Sequence, residues 1–159
     1  MTSDTITRDI VINASPETVY DVVSQPEHIA NWFSDEADLE PIPGRRGVLT
    51  FRMGDRRTEE SVIEVTVVRA DRPHLFSFRW ISPERQRATP EATDAVLVEF
   101  HIRAEPEGTR LMVSESGLDS ISWDDATKAT YAAEHYEGWQ GFLTRLRAYA
   151  ESLRTPGSA

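Results

Sequence analysis

From Tyr131 onward the chain carries one long stretch of helical periodicity. His135, Trp139, Phe142, Leu146, Tyr149 and Leu153 follow at steps of four, three, four, three and four residues, opposite Glu134, Glu137, Thr144 and Arg145. The apolar positions before it recur with the period of strands or belong to short helices. An antiparallel sheet that buries one face therefore has only this helix to bury it against, and must curve around it. Gly138 and Gly141 sit inside this helix, where each costs roughly 1 kcal/mol relative to alanine. Room left beside Trp139 and Phe142 would explain them, as would a crowded neighbour or plain solvent.

The segment 5–13 places Ile6, Ile10 and Ile12 on alternate positions and reads as a first strand. In ASPETVYDVVSQPEHIANWF, Ser15 is a natural N-cap, Pro16 suits the first helical position and Glu17 complements the helix dipole. Val19, Tyr20, Val22 and Val23 form that helix's apolar side. Pro26 ends it and opens a second short helix with Ile29, Trp32 and Phe33. Leu49, Phe51 and Met53 share a face of the next strand, ESVIEVTVVRA is rich in β-branched residues, and HLFSFRW alternates Phe76, Phe78 and Trp80. After a loop at 81–95, Val96, Val98, Phe100 and Ile102 alternate, and TRLMVSES completes the sheet. Ser122, with Asp125 three residues on in a loose version of the capping pattern, is a candidate cap of the last helix, which Thr127 to Thr130 could interrupt. The glycines at 44, 47, 54, 108 and 117 read as turn punctuation. A single domain over 1–159 is expected, its core at about 5–153 and its tail at 154–159.

The absence of cysteine excludes disulfides, thiolate metal sites and cysteine nucleophiles. A net charge of −10 opposes binding to nucleic acid or an anionic membrane surface. Arg45, Arg46, Arg52, Arg56 and Arg57 read as a solvated hairpin paired with Glu59 and Glu60 rather than as a phosphate site. No apolar run reaches eighteen residues and the N-terminus lacks a signal layout, so a cytoplasmic location is expected. His28, His74 and His101 form no metal pattern, and no nucleotide-binding loop or nucleophile elbow is present. No metal and no cofactor are expected.

The order of elements, with ASPETVYDVVSQPEHIANWF, FSFRW and YEGWQGFLTRLRAYAE, resembles the START-like, or helix-grip (SRPBCC), superfamily. Within it the chain is most similar to the AHSA-type group, named after the activator of the heat-shock protein 90 ATPase. The resemblance covers roughly residues 5 to 153. It implies an α+β helix-grip fold: a curved antiparallel sheet of about six to seven strands wrapped around a long C-terminal helix, with two short helices after strand 1. It also implies a cavity between sheet and helix, and so a small-molecule binding protein whose ligand is lipid-like or aromatic. The group suggests a bacterial protein and a stress-response setting.

Under that resemblance Trp32, Phe51, Phe78, Trp80, Phe100, Tyr131, Trp139 and Phe142 are candidates to line the cavity, although the same aromatics serve equally as core packing. Two polar residues fall on inward phases: Glu115, two residues after Val113 and four after Leu111, and His135 on the helix stripe. Facing inward, they would anchor a ligand or act as acid and base in a cyclase- or hydratase-type enzyme. Taken singly, each fits better a blander role: Glu115 solvated at a strand end, His135 half-exposed on a helix shoulder. The chaperone role in the group's name is a further alternative, and Leu75 and Leu97 on the outer sheet face suggest a homodimer contact.

Overall fold

A computed structural model describes residues 5–53, 59–80, 96–118 and 123–153. The expected loop at 81–95, Gly54, Arg56, Arg57, Ser122 and the tail at 154–159 lie outside the described residues. β1 (Ile6–Ile12) leads into α1 (Pro16–Ser24) and α2 (Pro26–Trp32). β2 (Glu36–Asp38), β3 (Arg46–Met53), β4 (Glu59–Asp71), β5 (Leu75–Trp80), β6 (Val96–Glu105) and β7 (Gly108–Ser116) follow, and α3 (Asp125–Ser152) closes the order. The strands form one antiparallel sheet in the order β1-β7-β6-β5-β4-β3-β2, so β7 lies between the first strand and the meander. This is the α+β helix-grip architecture expected from the sequence.

The local signals act as their chemistry requires. The Ser15 hydroxyl accepts from the Thr18 N–H at 3.2 Å, and Pro16 occupies the first turn of α1. Pro26 starts α2 immediately after Gln25. The inner face of the sheet carries Val65 and Val67 of β4, Phe76, Phe78 and Trp80 of β5, the alternate residues Val96 to Ile102 of β6, and Leu111 and Val113 of β7, all buried. The register slips between Val67 and Arg69 in β4, a strand that contributes no candidate site residue.

α3 departs from expectation at its start. Asp124 is its N-cap, accepting from the Thr127 N–H at 2.7 Å, and Thr127 to Thr130 are helical. A carboxylate directly before the first turn satisfies the free N–H groups and complements the helix dipole. The buried face of α3 also lies further round than the stripe suggests. It centres on Trp139, Leu143, Leu146 and Ala150, leaving His135, Phe142 and Tyr149 on its shoulder and Leu153 exposed. Arg8 of β1 reinforces this rotation. Its guanidinium donates to Tyr136 O at 3.2 Å and Gln140 Oε1 at 2.9 Å, and lies 4.1 Å over the Tyr136 ring. At the far end the Asn13 N–H donates to Glu151 Oε2 at 2.8 Å, and α2 meets α3 through a 2.6 Å hydrogen bond between His28 Nδ1 and the Tyr149 hydroxyl.

Gly44, Gly108 and Gly117 have positive φ, as turn positions do. Gly47 corrects the expectation: it lies within β3, where a Cβ would stand 2.4 Å from Leu39 Cβ and 2.7 Å from Asp38 O. The β2 end passes too close for any side chain. Arg52 pairs with Glu60 at 3.3 Å, as the spacing of the arginine hairpin suggests. Gly47→Ala is expected to lower the unfolding free energy by about 1–3 kcal/mol through overpacking, measured by urea denaturation. A neutral result would mean that the β2 end moves aside freely.

Candidate functional site

Strict alternation along β7 turns Thr109, Leu111, Val113 and Glu115 to the inner face, and register pairs Glu115 with Ile6 on one side and Val98 on the other. Its side chain has 0% exposure. A carboxylate withdrawn from water is very costly unless hydrogen-bonded, and this one has four donors. Oε1 accepts from Trp139 Nε1 at 2.5 Å and from His135 Nδ1 at 2.7 Å. Oε2 accepts from the Tyr131 hydroxyl at 2.6 Å and, over a longer 3.4 Å, from Trp80 Nε1. An ionised carboxylate offers about four acceptor sites and an indole N–H can only donate, so with His135 assigned the Nδ1–H tautomer all four contacts end on an ionised Glu115.

Tyr131, His135 and Trp139 recur at four-residue spacing and therefore stand on one face of α3, while Trp80 comes from the end of β5. The rings of Tyr131 and His135 stack at 3.7 Å and 19°. Burial, then the charge and hydrogen bond of Glu115, push the Tyr131 phenol well above its ordinary range, so it stays a donor. His135 keeps 30% of its side chain exposed. Its second ring nitrogen, Nε2, has no hydrogen-bond partner among the described residues.

Above this carboxylate lies a cleft of about 240 Å³ lined by Phe33, Trp80, Glu134, His135, Gly138, Trp139 and Phe142. Phe33, just past the end of α2, stacks on Trp139 at 5.3 Å and 15°, and Phe142 meets it edge-on at 4.8 Å. A Cβ on Gly138 or Gly141 would find nothing within 4 Å. Neither glycine accommodates a crowded neighbour. Gly138 keeps the cleft open, and Gly141 faces open space outside its lining.

Of the candidates, Trp80, His135, Trp139 and Phe142 line the cleft, and Glu115 and Tyr131 lie beneath it. The reading of Glu115 as a solvated strand-end residue is overturned by its burial, whereas His135 is on the helix shoulder as read. Trp32, Phe78 and Phe100 pack in the core instead. The Trp32 indole donates to Val22 O at 2.8 Å and meets Phe100 edge-on at 6.1 Å. Phe51 is half-buried and reaches the cleft only through Phe33, at 5.2 Å. Phe33 and Glu134 were not anticipated. The first was legible as apolar on α2, but not as lying over α3; the second was assigned to the polar side of α3 and stands at the rim. Among the described residues no three His, Asp or Glu side chains are grouped to hold a metal, and no helix is long and apolar enough to cross a membrane.

Residues 13–151 match the model of the Activator of Hsp90 ATPase homolog 1-like protein family. The chain belongs to that family. Solved structures share the fold. A Mesorhizobium loti protein is 20% identical with a TM-score of 0.74, covering 95% of this chain and 99% of its own. A Chromobacterium violaceum protein is 18% identical, with a TM-score of 0.72 and coverage of 93% and 98%. A Bacillus halodurans protein, solved in solution, is 25% identical with a TM-score of 0.67, covering 92% and 96%. No curated protein matches the chain. In this AHSA1-like domain the cleft lies where the end of α2 meets the long helix.

Two predictions follow from the carboxylate. Glu115→Leu strands four donors and is expected to cost about 3–5 kcal/mol, whereas Glu115→Gln retains one acceptor oxygen and costs about 1–3 kcal/mol. Equal costs in urea denaturation would mean that the donors find other partners. For Tyr131 the sign follows from its raised value. As pH climbs past about 10, tyrosine in the unfolded chain loses its proton while the folded phenol keeps it, so stability falls. Tyr131→Phe should make this alkaline fall in melting temperature shallower; an unchanged profile would remove Tyr131 from it.

Proposed function

We propose that this protein binds a small hydrophobic ligand, aromatic rather than long-chained, in the cleft between α2, β5 and α3. The observation that carries the reading is an aromatic-walled cleft whose one inward-facing imidazole is held by a fully buried carboxylate. Apolar walls with one or two placed polar groups are the usual make-up of a small-molecule site. At about 240 Å³ the cleft falls below the roughly 300–1,000 Å³ of sites for drug-sized ligands, which favours one or two fused rings over an acyl chain. The fold of the AHSA1-like family supports a ligand-binding domain without naming the ligand.

A thermal-shift and calorimetric screen of one- and two-ring aromatics tests this. A ligand at a hundred times its Kd should stabilise the protein by about 2.7 kcal/mol. Gly138→Ala should raise the unfolding free energy by up to about 1 kcal/mol, since nothing opposes the added methyl. Gly138→Phe should fill the cleft and abolish binding while the protein still folds. Binding unaffected by Gly138→Phe would place the ligand elsewhere.

The Glu115–His135 pair also favours a second reading, acid–base chemistry on the bound molecule, because a carboxylate that fixes an imidazole leaves its other nitrogen aimed for proton transfer. In that case His135→Asn abolishes turnover while Kd changes by a factor of a few. Parallel loss of both argues for binding alone.

A further inference from the structure

The walls of the cleft differ sharply in what they offer a ligand. Trp80 and Trp139 carry the indole N–H groups of the lining, and both already donate to Glu115. The Phe33 N–H is bonded to Ile29 O at 2.9 Å, and the lining residues of α3 lie inside the helix, where main-chain N–H groups bond within it. Glu134 at the rim accepts only. With Nδ1–H held by Glu115, a neutral His135 presents Nε2 as a lone pair. Arg145 lies 5.3 Å over the Phe142 ring and is not part of the lining. The cleft therefore offers acceptors and aromatic faces, with its donors already engaged, and a carboxylate ligand would meet Glu134 with no cation in the lining to match it.

We infer that the cleft selects small aromatic molecules carrying a hydrogen-bond donor, of the hydroxyarene class, and that His135 Nε2 takes the ligand's O–H hydrogen bond. The inference rests on the binding reading above and narrows it. Glu115 is then a positioning residue, acting by holding the imidazole in one tautomer and one orientation. An unbonded polar group on either side of a dry contact is penalised, so a ligand lacking the donor loses more than its missing hydrogen bond would suggest.

The test is calorimetric titration of the wild-type protein, at a pH of about 8, with naphthol, its methyl ether and naphthoate. The expected result is naphthol binding about tenfold more tightly than the ether, with naphthoate weakest. His135→Phe should bring naphthol down to the level of the ether. The wild-type comparison stands without any variant, so poor folding of His135→Phe would not blur it. Equal affinities for naphthol and ether would overturn the donor inference and leave the binding reading standing. Tightest binding of naphthoate would also overturn it, pointing to an imidazolium at His135. Failure of all three to bind would remove the binding reading and the inference together.

Discussion

A carboxylate with no exposed surface has to be surrounded by donors, and in this protein that requirement ties the long helix to the sheet. Glu115 stands on β7, between β1 and β6, and three of its four partners come from consecutive turns of α3. A rotation of α3, or a slip by one turn, would carry Tyr131, His135 and Trp139 away together and leave the charge unpaired, at a cost of several kcal/mol. Apolar packing between a helix and a sheet is non-directional and tolerates such slips. The carboxylate does not tolerate them. The pair formed by Arg8 with Tyr136 and Gln140 reinforces the same setting from the edge strand.

This anchoring has a chemical consequence for the cleft above. The indoles of Trp80 and Trp139 turn their N–H edges down to Glu115, leaving the cleft their apolar surfaces. The imidazole is treated differently, because it has two nitrogens. One is bound to the carboxylate, the other has no partner among the described residues, and the stacked Tyr131 ring limits how far the imidazole can swing. The polar character of the site thus follows from what Glu115 leaves over. Phe33, stacked on Trp139, closes the side contributed by α2.

Much of the fold was legible in the chain because its signals are local. Ser15 and Pro16 announce α1, Pro26 separates the two short helices, and period-two alternation from Phe76 to Trp80 and from Val96 to Ile102 marks the inner face. Alternation also placed Glu115 inward, since β7 carries no register slip. What sequence could not supply was contact between distant elements. Nothing near Phe33 says that α2 ends over Trp139, and nothing near Glu115 reveals four donors, three of them sixteen or more residues away and one thirty-five residues earlier. Gly47 was misread for the same reason: turn chemistry and close approach both call for glycine, and only the position of Leu39 tells them apart. The centre of the α3 stripe was misplaced because Leu143 and Ala150 fit a helical period as well as Phe142 and Tyr149 do. Tertiary contact made that choice.

Two departures from what stability alone would favour converge on one place. A well-packed apolar group in the position of a buried ionic cluster is often neutral or stabilising, and alanine in place of a helix-interior glycine is worth roughly 1 kcal/mol where nothing obstructs it. Glu115 and Gly138 forgo both, one beneath the cleft and one in its lining. Departures of this kind are expected where a chain is shaped for binding or chemistry rather than for packing. Gly141 is the useful contrast, since it has the same open surroundings but no place in the lining, and glycine content alone would not have singled out the cleft. Gly138 gains its meaning from standing three residues after His135 and lining the same cleft. The coincidence of an unobstructed glycine, a free imidazole nitrogen and a saturated carboxylate is what separates a site from a gap between packed aromatics.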